Sequence, residues 1–377
     1  MKWACGSGLM RLRGMVRKET RQIVRDPSSL AIAFVMPLVL LVIFGYGVSL
    51  DAREVPVAIV VEQPGSLSSR FTAGFEQSEY FVPVVMRSIQ EAETALREHR
   101  VDGIVWLRSD FGKGVLDGRD PAIGVIVNGV NANQARLTQG YVQGVWSHWL
   151  EDYAASLGRE LNVPVAIEQR VWFNPGVRSR DFLVPGLVAV IMTLIGALLT
   201  AMVMAREWER GTFEALMVTP VTIREVLAGK LLPYFVLGMG GMLFTVFTAQ
   251  WLFEVPLRGS FWVLLITSAL FMLTALGMGL LISIVTRNQF VAGQIALIVT
   301  FLPAFLLSGF IFDIGSMPLP VQIITHLIPA RYFVAILQTV FLAGDVWSVI
   351  LPNSLALLLM AILLLTLARR RAHKRLE

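Results

Sequence analysis

Six stretches of this chain run for more than 20 residues without a charged side chain: Leu30 to Leu50, Phe182 to Ala205, Leu231 to Phe253, Gly259 to Thr286, Gln289 to Phe312 and Val346 to Ala368. A helix needs about 20 apolar residues to cross roughly 30 Å of hydrocarbon. The pattern therefore predicts a mainly α, polytopic membrane protein with six transmembrane helices. Composition agrees, since 16% of the residues are charged where soluble domains carry about 25%. A seventh apolar stretch, Pro318 to Leu342, is interrupted by Pro318, Pro320 and Pro329. It also carries His326 and Arg331, which are expensive in lipid, so segment 313–342 is expected to form short re-entrant or interfacial helices.

Lysine and arginine placement sets the orientation. Segment 1–29 holds Lys2, Arg11, Arg13, Arg17, Lys18, Arg21 and Arg25, and the tail 369–377 holds Arg369, Arg370, Arg371, Lys374 and Arg375. Positive charge stays on the cytoplasmic side, which puts both termini in the cytoplasm and requires an even number of spans. Segment 30–50 is then the first span, 51–181 faces outward, 182–205 returns, 206–230 is a cytoplasmic loop, and 231–368 supplies spans three to six. No cleavable leader is visible before Cys5, which reads as an incidental thiol.

The outward segment is long enough for a core of its own. It holds 13 Lys and Arg against 17 Asp and Glu, so the formal +5 of the chain divides into −4 here and +9 elsewhere. That division encodes orientation rather than affinity for nucleic acid. Short apolar runs at Val55 to Val61, Phe81 to Met86, Gly103 to Leu107, Ile123 to Val127 and Val163 to Ile167 alternate with helical stretches at Ser66 to Ser78, Ser88 to Arg100 and Asn131 to Leu157. Such alternation predicts an α/β extracytoplasmic (periplasmic) domain inserted between the first and second spans. Its long helix, with Gln134, Gln139, Gln143, Trp146 and Trp149, either packs on the sheet or makes contacts outward.

Catalytic, cofactor-binding and metal-binding residues are not expected. His99, His148, His326 and His373 lack metal-ligand spacing, and Gly112-Lys113 lacks the leading glycine and the following Ser/Thr of a phosphate loop. None of the spans carries a titratable group away from its ends, as ion coupling would require. Any driving force for transport has to come from another chain.

The loop after the second span reads Arg206-Glu207-Trp208-Glu209-Arg210-Gly211-Thr212-Phe213-Glu214-Ala215-Leu216-Met217-Val218-Thr219-Pro220. Gly211 breaks the incoming helix, and Thr212 can cap a short one whose Phe213, Leu216 and Met217 form an apolar face ended by Thr219-Pro220. Thr222 and Glu225 make a capping box for the next helix. The short helix fits a groove on a cytoplasmic partner or lies on the headgroups. Before the first span, Arg13, Arg17, Arg21 and Arg25 recur at i, i+4 with Leu9, Leu12, Val16 and Ile23 nearer the other side. This amphipathic helix suits an anionic leaflet, or it sets topology alone.

The run Arg-Glu-x-Glu-x-Gly-Thr-x-Glu-x-Leu-x-x-Thr-Pro, with Gly229-Lys230 and Pro233-Tyr234 after it, resembles the signature of ABC type-2 transporter permeases. Arg25-Asp26-Pro27, Phe44-Gly45-Tyr46, Leu307-Ser308-Gly309-Phe310 and Ile328-Pro329-Ala330-Arg331-Tyr332 extend the resemblance over the whole chain. It is close to the bacterial inner-membrane subgroup that works with a separate ATPase and a periplasmic membrane-fusion adaptor. The resemblance implies a permease subunit of a drug exporter that pairs with a second protomer, identical or similar. ATP and Mg would sit on the partner ATPase. Thr212 to Thr219 would be the coupling helix, with Glu207, Glu209 and Glu214 as its charged surround, and Arg11 to Arg25 the interfacial connecting helix. Pro329, Arg331 and Tyr332 would belong to an outer gate or to a plain cap of short helices. Two rivals from other classes are an ATP-independent secondary transporter or channel, and a receptor or scaffold that uses the outer domain.

Overall fold

The structure is a computed structural model describing residues 3–47, 54–117, 123–130, 132–158, 173, 178–212 and 221–372. The strand expected at Val163 to Ile167 and the loop Phe213 to Pro220 lie outside the described residues. The chain divides into two compact units, one of Met1–Val48 with Val171–Glu377 and one of Ser49–Arg170.

The first unit is helical. Helix α1 (Trp3–Val24) precedes α2 (Pro27–Gly47). After the second unit come α7 (Ser179–Glu209), α8 (Ile223–Phe253), α9 (Phe261–Thr286), α10 (Gln289–Leu307), the bent pair α11 (Leu319–Thr325) and α12 (Pro329–Ala343), and α13 (Trp347–Arg371). By length and composition α2, α7, α8, α9, α10 and α13 can cross a membrane. Helix α12 rises only about 22 Å at 1.5 Å per residue and meets α11 at 84°.

Six runs of similar hydropathy occupy different positions. Residues Leu183 to Ala205 of α7 are almost wholly buried, as an element apolar all round must be. Small residues set its approach to α9. Gly196 faces Ala275, and a Cβ on Gly279 would fall inside 3.0 Å of Ala197 and the Thr200 hydroxyl. Thr200 Oγ1 donates to the Leu276 carbonyl at 2.9 Å, and Ser283 Oγ accepts from Met204 N and Ala205 N at 3.0 and 2.9 Å. Helix α8 meets α2 through a proline effect: Pro37 offers no N–H to the Ala33 carbonyl, and that oxygen lies 2.5 Å from where a Cβ on Gly241 would be. Thr193, Thr245, Thr248, Thr267, Thr274, Thr300 and Asn353 each donate to a carbonyl four residues back in their own helix.

In the second unit, strands β1 (Val55–Val61), β2 (Phe81–Met86), β3 (Gly103–Leu107) and β4 (Ile123–Val127) cover the four apolar runs that the described residues include. Their order is β2-β1-β3-β4, with β1 parallel to β2 and β3 and β4 antiparallel to β3. Alternation along β1 feeds two layers. Val55, Val57 and Ile59 meet α3 (Ser66–Glu76) and α6 (Ala132–Ser156) through Phe71, Phe75, Val142 and Trp149. Ala58 and Val60 meet α4 (Ile89–Arg97) through Ala92 and Ala95. A short helix not foreseen from the sequence, α5 (Phe111–Asp117), adds Phe111 to the first layer. Helix α6 packs on the sheet with its aromatic side, while Gln139 and Gln143 are exposed and Gln134 donates to Asp102 at 3.0 Å.

Candidate functional site

Helix α7 ends in Arg206-Glu207-Trp208-Glu209, and the four side chains reach different elements. Arg206 sets both terminal nitrogens 3.1 Å from Asp26 Oδ2. Asp26 is the N-cap of α2, accepting from Ser28 N at 3.1 Å and Ser29 Oγ at 2.8 Å. Burial works to raise the pKa of this carboxyl, but the Ser29 hydrogen bond and the Arg206 guanidinium outweigh it and hold it below the ordinary carboxylate range. A depressed carboxyl contributes stability above its unfolded pKa of about 3.9 and loses that contribution as pH falls through the lower folded value. Asp26→Ala is expected to lower stability by at least the ~1 kcal/mol of a lost cap at pH 7. The gap from wild type should narrow below pH 4, as thermal unfolding of the solubilised protein would read.

Glu207 is 5% exposed and turned into the protein. It accepts from Lys230 Nζ at 2.9 Å and Lys18 Nζ at 2.8 Å, and from the Thr212 hydroxyl. Lys230 also donates to Glu19 at 2.8 Å, and Lys18 stands 3.7 Å from Glu19. Two cations and two anions thus close a network joining α1, α7 and α8. Glu19 and Lys230 are each 1% exposed, whereas Lys18 reaches water.

Trp208 lies under the Arg287 guanidinium at 4.6 Å. Glu209 Oε1 accepts from Gln289 N at 2.9 Å, beside the Asn288 cap on Val291 N at 2.9 Å. The turn into α10 is thereby fixed to the end of α7. The chain then turns at Gly211, whose φ of +65° is left-handed and open to glycine without steric cost. Phe213, Glu214, Leu216, Met217, Thr219 and Pro220 lie outside the described residues. Beyond them the capping box forms as the sequence predicts, with Thr222 N donating to Glu225 Oε2 at 2.7 Å and Glu225 N to Thr222 Oγ1 at 3.4 Å. Glu225 also pairs with Arg11 at 3.1 Å, so both sides of the loop are tied to α1.

On α1, Arg13, Arg17 and Arg21 are exposed, as is Arg25 just past its end, and Met15, Glu19 and Ile23 are buried. Leu12 and Val16 are half-buried, but Leu9 is exposed and does not join Ile23. A Cβ on Gly229 of α8 would meet Met15 Cβ at 2.7 Å, so the two helices are close-packed there. Sequence reasoning missed Lys18, Glu19 and Lys230. The signal was Glu19, the single acid in Trp3–Val24, four residues from Met15 and from Ile23.

At the α11–α12 elbow, Pro329 is buried as the first residue of α12. Arg331 Nη1 lies 3.3 Å from the Gln322 carbonyl, 3.0 Å from His326 Nδ1 and in contact with the Thr325 hydroxyl. Tyr332 donates to the His326 carbonyl at 3.0 Å. The three residues clamp the bend. Among the described residues, no group of three or more His, Cys, Asp or Glu could hold a metal ion.

The family model for ABC-2 family transporter proteins matches residues 27–370. The chain is 44% identical over 97% of its length to an Escherichia coli protein named probable multidrug ABC transporter permease YbhS, covering 98% of that protein. It is 28% identical to the E. coli probable multidrug ABC transporter permease YbhR, over 91% of this chain and 94% of that one. A Bacillus subtilis linearmycin resistance permease protein, LnrN, is 22% identical over 86% of this chain and 90% of its own.

Proposed function

This chain belongs to the ABC-2 transporter family, and from that premise we propose that it is the non-catalytic permease subunit of an ATP-driven exporter of the bacterial inner membrane. Two protomers, identical or similar, enclose the path, and a separate cytoplasmic ATPase binds ATP and Mg. Both termini are cytoplasmic. The unit Ser49–Arg170 is the extracytoplasmic domain between the first and second spans and docks a periplasmic membrane-fusion adaptor. Amphipathic small molecules are the cargo, as the names of the E. coli relatives suggest. The arginine stripe of α1 rests on anionic lipid, and the clamped elbow at Pro329, Arg331 and Tyr332 gates the outer end.

One observation supports this reading above the others. The four residues closing α7 bind α1, α2, α8 and the start of α10, and Glu225 on the far side of the loop pairs with Arg11 of α1, so a push delivered to the end of α7 reaches all of them. That is the mechanical requirement for coupling, in which a partner shifts an equilibrium only through contacts that differ between states. The apolar face of Phe213, Leu216 and Met217 supplies those contacts in the ATPase groove, with Glu209 and Glu214 at its rim.

The double variant Leu216→Asp, Met217→Asp is expected to insert at the wild-type level and leave the ATPase active. Export by reconstituted vesicles should fall at least tenfold. Export at the wild-type rate would reject the assignment.

A further inference from the structure

The unit Ser49–Arg170 contains a cavity of about 690 Å³ between α3 and α6, within the roughly 300–1,000 Å³ of small-molecule sites. The two helices run in opposite senses: Phe71 meets Trp149, Gly74 faces Val145, and Tyr80, just beyond α3, stacks on Tyr141 at 4.3 Å. Aromatic rings line both ends, since Trp149 and Tyr153 lie parallel, 5.4 Å apart, at the other.

Gly140 and Gly144, one turn apart in the middle of α6, open onto the cavity. Glycine there costs about 1 kcal/mol relative to alanine, and among the described residues nothing in the packing calls for it. A Cβ at either position would meet no atom within 4 Å, and neither has a left-handed φ. Gly74 differs, because Val145 Cγ1 would stand 3.0 Å from its Cβ. What the absent side chains of Gly140 and Gly144 do is keep a flat floor clear beneath the Tyr80–Tyr141 pair.

The two ends carry different charge. Beside Tyr80 the lining is uncharged, with Gln77 and Ser78. Beside Trp149 stand one cation, Arg70, and one carboxylate, Asp152, the latter 3.8 Å from His148 Nε2.

We propose that this cavity binds a planar aromatic small molecule bearing both a carboxylate and an amine. Its rings lie over Gly140 and Gly144 against the stacked tyrosines, its carboxylate faces Arg70 and its ammonium faces Asp152. The assignment is independent of the export reading, because the cavity lies within one unit and its occupancy is measured without an ATPase.

Calorimetric titration of the full chain in lipid nanodiscs tests it, with L-tryptophan as the probe because it is a flat aromatic zwitterion whose carboxylate and ammonium stand together at one end. One site per chain is expected, with a dissociation constant on the order of 10 µM, the range of ordinary drug-sized ligands. Gly144→Leu and Gly140→Leu fill the space with a better helix former. Each should weaken binding at least tenfold while leaving the melting temperature equal or higher. Arg70→Gln should weaken L-tryptophan several-fold but leave tryptamine, its decarboxylated analogue, unaffected. Heat no greater than that of empty nanodiscs, or wild-type affinity in either leucine variant, would overturn the proposal.

Discussion

Lys230→Met is expected to lower the stability of the protein by about 3–5 kcal/mol, the cost of breaking a buried ion pair from one side. Lys230 sits between Glu19 at 2.8 Å and Glu207 at 2.9 Å, and its loss leaves two buried carboxylates sharing Lys18. Lys18 is placed to hold only one of them well, with Glu207 at 2.8 Å and Glu19 at 3.7 Å. The damage should come from uncompensated charge rather than lost packing, since methionine nearly matches the lysine stem. Converting the three buried members to neutral residues (Glu19→Gln, Lys230→Met, Glu207→Gln), with the water-exposed Lys18 kept, should therefore recover most of the loss. Lys18→Ala should cost less than Lys230→Met, because Lys18 is 45% exposed in its side chain and screened by water. Thermal unfolding of the solubilised variants reads all three. A triple variant no more stable than Lys230→Met would show that the network acts through geometry and not charge.

The same network marks where sequence reading stops. Spans were legible because lipid demands long uncharged runs, and the strands of the second unit because a strand covered on both faces is apolar without a break, as Val55 to Val61 is. The capping box at Thr222 and Glu225 was legible because both partners lie within one turn. Lys18 and Glu207 are 189 residues apart, and Glu19 and Lys230 are 211 apart; local periodicity carries no information about such pairs. The spacing of the arginines on α1 does mark its exposed side. It left unasked why a lone acid stood among the residues of the opposite side. The central position of α7 was equally hidden, since hydropathy does not distinguish a span surrounded by helices from one surrounded by lipid. What distinguishes α7 is the register of small residues on α9 with its own Gly196, Ala197 and Thr200.

Gly279→Ala should test that register with the smallest change available. The added methyl would overlap the Ala197 carbonyl and the Thr200 hydroxyl, and the backbone of α7 has little room to retreat because its other sides are buried. Overpacking of this kind usually costs about 1–3 kcal/mol. Here the Thr200 to Leu276 hydrogen bond is strained along with the contact, so the upper end of that range or more is expected. Gly293→Ala in α10 is the matched control: a Cβ there meets nothing within 4 Å, and alanine improves helix propensity by up to about 1 kcal/mol. Size-exclusion profiles after a temperature series should show Gly279→Ala aggregating well below wild type and Gly293→Ala at or above it. If the two variants melt together, small-residue contact between α7 and α9 is not what fixes α7 at the centre. Because α7 also carries Arg206 to Glu209 at its end, loosening that contact should weaken the ties to α1, α2, α8 and α10 as well, and α1 should become more accessible to protease in Gly279→Ala than in Gly293→Ala.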